Sequence, residues 1–262
     1  MRNKQPHLLS EERRREILRL LEEQGRVTVD GLADSFRVSA VTIRADLEEL
    51  GVKGLLVRSH GGAIPPLSPQ QEYPLHLKRT LHHAEKVRIG RAAAQLVQPR
   101  QTVIIDGGTT TVEVARALKR TSPEALTVIT HALNIALELA DSPNISLIVI
   151  GGIFRQISRS FVGPPAERMM SDLHADHFFL AVDGLDPETG PSTPDVLEAQ
   201  LNAQMILAAR EISVIADATK FGRRSLSLIG DMRSIHRVIT DSRVTEEMVC
   251  RLRKMGIEVL VV

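Results

Sequence analysis

The residues Asp106-Gly107-Gly108-Thr109-Thr110-Thr111 combine the groups that a bound oxyanion requires. Glycines let backbone N–H groups approach an anion, a helix starting here would turn its first amides toward it, and threonine hydroxyls add donors. The Lys-Ser/Thr ending of a triphosphate-binding loop is missing, so the stretch suits a single phosphate and argues against nucleotide hydrolysis. Two cations could reach the same anion: Lys220, in Asp217-Ala218-Thr219-Lys220-Phe221-Gly222, and Arg155, which follows Gly151-Gly152. The bland alternatives are an ordinary turn for the loop and solvated surface positions for the two cations.

A second stretch, residues 37–62, reads RVSAVTIRADLEELGVKGLLVRSHGG. Ser39 is a good N-cap, and Ile43, Leu47 and Leu50 recur at spacings of four and three, giving a short helix with one apolar face. Its other face offers Thr42 and Arg44 near the start, then Asp46, Glu48 and Glu49. Short polar and cationic groups in the first turns suit insertion into a DNA major groove, N-terminal end first. Downstream, residues 54–58 read as a strand and Gly61-Gly62 as a turn, the pattern of a β-wing that would bring Arg58 and His60 to phosphate or the minor groove. A helical packing module without DNA contact is the competing reading.

The elements that must position these groups follow from capping and periodicity. Ser10 can cap a first helix carrying Ile17, Leu18, Leu20 and Leu21 inward and stopped by Gly25. Val27-Thr28-Val29 is a short extended piece, and Asp30 would cap a second helix over residues 31–36. Helix, short helix, tight turn and capped helix is the helix-turn-helix order. Residues 64–76 hold four prolines and form a semi-rigid spacer. Beyond it, a helix over residues 85–97 precedes apolar runs at residues 102–105, 126–129, 146–150, 178–182, 212–216 and 238–239, mostly separated by helical stretches. Such alternation argues for a mostly parallel sheet covered on both faces. Asp106, Gly151-Gly152, Asp183-Gly184 and Asp217 stand where these strands end, and in open α/β sheets the ligand lies at that edge.

Composition sets limits. Hydrophobic residues at 43% support a substantial core, and with aromatics at 3% it must be built from Leu, Ile, Val and Ala. A net charge of +1 supplies no global attraction for nucleic acid, so any such attraction is local. The single Cys250 excludes an intrachain disulfide or a thiolate metal cluster and reads as a small buried hydrophobe on a late helix. The first residues lack a signal-peptide pattern and no 18-residue apolar stretch occurs, which predicts a cytoplasmic protein with no membrane attachment.

The residues also carry a resemblance. Arg13-Arg14-Arg15-Glu16-Ile17-Leu18, Val38-Ser39 with Thr42-Ile43-Arg44-x-Asp46-Leu47, and Gly54-x-Leu56-x-Arg58-x-His60-Gly61-Gly62-Ala63 resemble the amino-terminal signature of DeoR-type bacterial transcriptional repressors. Asp106-x-Gly108-Thr109-Thr110, Gly151-Gly152, Asp183 and Asp217-x-x-Lys220 resemble the effector domain of the same family, which is Rossmann-like, similar in fold to ribose-5-phosphate isomerase, and senses phosphorylated sugars. Gly151-Gly152-x-x-Arg155-x-x-Ser158-x-Ser160-x-x-Gly163 and Ser192-Thr193-x-x-x-x-Glu198-Ala199-x-x-Asn202 look most like the repressors of N-acetylgalactosamine and related amino-sugar use. The chain departs from many members by Ala45 in place of a second Arg, Gly107 in place of Ser, and His131 in place of Asn.

The resemblance implies a winged helix-turn-helix domain over residues 1–63, a linker over 64–76, and a mostly parallel α/β effector domain over 77–262. It implies Ser39, Thr42, Arg44, Arg58 and His60 as the DNA-facing set. Asp106, Gly108, Thr109, Thr110, Thr111, Gly152, Arg155, Asp183 and Lys220 form the expected effector set. Operator DNA, a phosphorylated sugar or amino sugar, and further copies of the chain in a dimer or tetramer are the expected partners, with no cofactor, metal or catalysis. The competing reading is a sugar-phosphate isomerase using Asp106, Asp183 or Glu198 as base and Lys220 to hold charge; a helix-turn-helix has no use in such an enzyme.

Overall fold

The computed structural model describes residues 9–52, 55–59, 61–66, 72–121 and 124–262. The chain divides into two compact units, Met1–Ser68 and Pro69–Val262, so the division falls within the proline-rich stretch. Residues 72–76, assigned to the spacer from the sequence, are held by the larger unit: the Leu75 amide donates to the Ile157 carbonyl at 3.0 Å. Residues 67–71 of that spacer lie outside the described residues.

In the smaller unit, helices α1 (Ser10–Gln24), α2 (Val29–Phe36) and α3 (Ala40–Val52) pack with strands β1 (Val27–Thr28), β2 (Val57–Ser59) and β3 (Gly62–Ile64). Ile17, Leu21, Leu32, Ile43, Leu47, Leu50 and Leu56 form its core. Two caps differ from expectation. Leu9 is the N-cap of α1, with its amide held by Glu12 at 3.0 Å, and Ser10 is the first helical residue. Thr28 rather than Asp30 caps α2, its hydroxyl accepting from Gly31 N at 3.1 Å. The turn to α3 passes through Arg37 in the left-handed region, φ 54°.

The extended piece before α2 has a tertiary purpose. β3 lies between β1 and β2, pairing antiparallel with both, so the wing is sewn to the chain between the first two helices. Gly62 makes this possible, because a Cβ there would lie 1.9 Å from the Val27 carbonyl oxygen. Gly61, at φ 76°, turns the chain into β3.

The larger unit contains α4 (Leu75–Thr80), α5 (His83–Ala94), β4 (Thr102–Ile105), α6 (Thr111–Thr121), β5 (Leu126–Thr130), α7 (Leu133–Leu139) and β6 (Ile145–Val149). Next come β7 (Ile153–Arg155), β8 (Ser160–Val162), α8 (Pro164–Met170), β9 (Ala175–Leu180), β10 (Gly184–Asp186), β11 (Gly190–Thr193) and α9 (Val196–Ala208). The chain ends with β12 (Ala209–Ile215), β13 (Ser227–Leu228), β14 (Arg237–Thr240), α10 (Glu246–Lys254) and β15 (Glu258–Val261).

Seven strands form one parallel sheet in the order β15-β14-β12-β9-β4-β5-β6. Alternate residues face opposite sides, as the pleat dictates. Val103, Ile105, Phe179, Ile215 and Ile239 pack under α5, α6 and α7. Ile104, Phe178, Leu180, Val214 and Val238 pack under α8, α9 and α10. The chain moves outward from β4 to β6 and then returns to β9 on the other side of β4, so the topological switch lies between β4 and β9. A crevice opens at such a switch, beyond the carboxyl ends of the strands.

Short antiparallel additions were not legible in the sequence: the β7–β8 hairpin and the three-stranded sheet β10-β11-β13. The helix read over residues 85–97 is α5, His83–Ala94, which starts two residues earlier and ends three residues sooner than its apolar pattern suggests. Cys250 is exposed, not buried, because α10 directs only Leu252 fully inward.

Candidate effector site and nucleic-acid interface

The anion-type loop begins where β4 ends, at the switch between β4 and β9. Asp106 is 1% exposed, and its carboxylate is spent on holding the loop. Oδ1 accepts from Gly107 N at 2.7 Å and from His131 Nε2 at 2.8 Å. Oδ2 accepts from Ala181 N at 3.0 Å, just past β9, and from Asn202 Nδ2 at 3.3 Å on α9. Asp106 therefore ties together both strands of the switch, the turn after β5 and helix α9, which makes it a positioning group rather than a free base.

His131 fits this role. Its Nδ1 faces the Phe161 carbonyl at 2.9 Å and its Nε2 faces Asp106 at 2.8 Å, acceptors that favour a charged ring, while the Gly107 amide also points at Nε2 from 3.2 Å. Burial opposes that charge, but the bond to Asp106 raises the pKa above the ordinary histidine value.

Gly107, Gly108, Thr109 and Thr110 form the turn, and Thr111 opens α6. The first-turn amides of a helix have no intrahelical acceptor. Among the described residues, the amides of Gly108, Thr109 and Thr110 meet no protein acceptor. Orphaned oxygens gather around them. The buried hydroxyl of Thr111 has no partner, and neither do Oδ1 of Asn134 and Oδ1 of Asn202. Asn134 is tied to the loop through Nδ2, which donates to the Gly108 carbonyl at 3.1 Å. Buried polar groups without partners are costly and call for an explanation.

Facing the loop's end of the sheet is a cluster of opposed charges. Asp183, after β9, takes Lys220 Nζ on Oδ1 and Lys78 Nζ on Oδ2, each at 3.0 Å. Burial opposes ionisation of Asp183, yet Lys220 and Lys78 hold its carboxyl far below the usual range. Arg155, on β7, pairs with Glu72 at 2.7 Å, Asp195 at 3.1 Å and Glu198 at 2.5 Å. Burial, reinforced by the charges of Asp106 and Glu72, pushes Glu198 up to about 7 although Arg155 and Lys78 oppose it. Lys86 donates to the carbonyls of Lys78 at 2.5 Å and Leu81 at 2.7 Å, and burial brings it down to about 8. Gly152 lies at the start of the β7–β8 hairpin, where a Cβ would come within 2.7 Å of the Val162 carbonyl oxygen, so its role is close approach.

Sequence reasoning singled out Asp106, the threonines, Arg155, Asp183 and Lys220, and the fold gathers them at one edge of the larger unit. It missed Glu72, Lys78, Lys86 and Asp195. The first three lie outside every glycine-threonine motif, and nothing local marks them.

On the DNA-type face, Ser39 Oγ caps α3 by accepting from Thr42 N at 3.1 Å and lies 2.9 Å from Thr42 Oγ1. Arg44 is exposed, with no ion pair among the described residues. Arg58 pairs with Glu48, linking the wing strand to α3. His60 lies outside the described residues. Asp46, read from periodicity as part of the polar face, is 2% exposed and receives Arg13 Nε at 2.5 Å and Arg14 Nε at 2.9 Å. It locks α1 to α3 rather than facing solvent.

Comparison with known proteins decides the family. Residues 13–68 match the DeoR-like helix-turn-helix domain and residues 81–242 match the DeoR C terminal sensor domain. The chain belongs to the DeoR family. It is a DNA-binding transcriptional regulator and not an enzyme. A protein of Escherichia coli O157:H7, provisionally named aga operon transcriptional repressor, is 38% identical over 253 residues, 96% of this chain and 93% of that one. The glycerol-3-phosphate regulon repressor of Shigella flexneri is 32% identical over 226 residues, 86% of this DeoR-family chain and 88% of that one. Ribose 5 phosphate isomerase A from Neisseria gonorrhoeae aligns over 53% of each chain with a TM-score of 0.39 and 14% identity. No helix among the described residues is long and apolar enough to cross a membrane.

Proposed function

We propose that this regulator is a repressor of sugar or amino-sugar catabolism whose grip on operator DNA is set by a phosphorylated sugar bound beside residues 107–111. The observation that carries this reading is the set of unpaired donors at the start of α6: amides without acceptors and the buried, unpartnered Thr111 hydroxyl. Backbone amides at a helix N-terminus favour an anion. Thr109 and Thr110 add hydroxyls, and Lys220, Lys78 and Arg155 supply cations nearby, each now held by carboxylates. Asn134, Asn202 and Glu198 offer the neutral and acidic groups that would read sugar hydroxyl or amino substituents.

Ser39, Thr42, Arg44, Arg58 and His60 form the DNA-facing set in this reading, with Arg44 free to reach a base edge and Arg58 placed for phosphate. The name of the 38% identical relative supports an amino-sugar operon as the target class. A single winged helix makes few contacts, so two or four copies acting on repeated half-sites suit the geometry.

A thermal-shift screen with phosphorylated sugars, amino-sugar phosphates and their unphosphorylated forms tests the reading, followed by operator retention with the compounds that bind. Stabilisation by phosphorylated compounds alone, with altered operator affinity, is the expected result. If neither melting temperature nor operator affinity responds to any of them, the reading fails.

A further inference from the structure

We infer that the segment from Glu72 to Thr80 is a latch on the effector site, contributing Glu72 and Lys78 to it, and that an incoming phosphate loosens it by competing for its ion pairs. This rests on the reading of residues 107–111 as a sugar-phosphate site.

Three attachments hold the segment to the site edge, while Lys86 on α5 holds its far end through the Lys78 carbonyl at 2.5 Å. Glu72 pairs with Arg155 at 2.7 Å, and Lys78 pairs with Asp183 at 3.0 Å, both partners lying on the site edge. Between them, the Leu75 amide donates to the Ile157 carbonyl at 3.0 Å, on the same β7–β8 hairpin that carries Arg155. Lys78 also lies 3.5 Å from Glu72, so the two charges of the latch support one another.

These attachments are more than a surface tether. The side chains of Glu72, Arg155, Lys78 and Asp183 are 9%, 14%, 18% and 19% exposed, so the pairs are shielded from solvent. Asp183 is shared by Lys78 and Lys220, which gives two cations one carboxylate partner. Arg155 is shared by three carboxylates, Glu72, Asp195 and Glu198. A phosphate dianion entering this edge adds a stronger acceptor for Lys220 and Arg155, and a repulsive neighbour for Asp183 and Glu72. Like charges crowded in a shielded site disfavour one another, so carboxylates must yield their cations. Glu72 and Lys78 are the members whose release frees a stretch of backbone, because only they sit on the segment that follows the unit boundary at Ser68.

The test is amide hydrogen exchange on the full chain, with galactosamine 6-phosphate, glucosamine 6-phosphate, glycerol 3-phosphate and inorganic phosphate as probes. A probe that raises the melting temperature should also raise exchange over residues 72–80 severalfold while lowering it over residues 107–113. Glu72→Gln should raise exchange over residues 72–80 without any probe and shrink the probe-induced change, with the remainder of the large unit protected as before. Lys78→Gln should do the same through the other pair. Binding of a probe with residues 72–80 equally or better protected overturns the latch and leaves the proposed function standing. So does a Glu72→Gln chain whose exchange matches the parent. Failure of all four probes, and of the wider sugar-phosphate screen, to change melting temperature overturns both.

Discussion

Arg44 and Arg58 are alike in type and different in circumstance. Arg44 has no ion pair among the described residues, whereas Arg58 is engaged by Glu48. Arg44→Ala should weaken operator binding by about 1–3 kcal/mol and relax sequence preference if it reads a base through two bonds. A retention titration on operator and scrambled duplexes checks this, and an unchanged affinity counts against α3 as the reading helix. Thr111 makes a sharper case. Its buried hydroxyl has no partner, so Thr111→Val should leave stability unchanged or raise it by about 1 kcal/mol, while the response to effector falls. A loss of stability in urea melts would show instead that the hydroxyl is satisfied in the apo protein. Glu198 carries a pH signature. With its carboxyl raised from 4.5 to about 7, the folded state holds the proton more tightly than the unfolded chain. The associated stability is present below pH 4.5 and lost as pH rises to about 7. Melts of the parent and Glu198→Gln across that window should diverge as pH rises, the parent losing a few kcal/mol at most that the variant keeps.

At the scale of elements, the buried Asp46 with Arg13 and Arg14 is the joint between α1 and α3. Removing one partner leaves a buried charge, so Asp46→Ala should destabilise the smaller unit by about 3–5 kcal/mol. Replacing Arg13 and Asp46 together by Met and Leu should recover most of that loss, which two-transition denaturation curves would report. The wing depends on Gly62, since any side chain would strike the Val27 carbonyl. The sequence showed α1, α2 and α3 because apolar spacing is local, although of the three expected caps only Ser39 holds its place. It did not show that β1 pairs with β3, because strand pairing across residues 27–63 is not encoded in either run alone. It likewise placed Asp46 on the polar face of α3, since periodicity cannot see a partner 33 residues away.

For the whole molecule, sensor and reader are parts of one chain, and linkage makes their coupling reciprocal. A sugar phosphate that lowers operator affinity by some factor must bind the operator complex more weakly by the same factor. Calorimetric titration of the ligand into free protein and into the operator complex measures both numbers, and unequal factors would reveal a further linked equilibrium, such as a change in the number of copies.

Composition and apolar runs were enough to determine a helix-turn-helix followed by a parallel α/β unit, and the motif at residues 106–111 marked the loop on which the proposed anion site rests. These are short-range properties, legible because helix and strand periods repeat within a dozen residues. Tertiary structure alone decided how the loop is held and which charges meet at that edge of the sheet. Asp106, a candidate ligand or base in the sequence, is a fully occupied tie between the two switch strands. Glu72 and Lys78 meet Arg155 and Asp183 across 83 and 105 residues of chain. Charge pairs of that separation depend on where the backbone brings two side chains, and no local pattern of residue types carries that information.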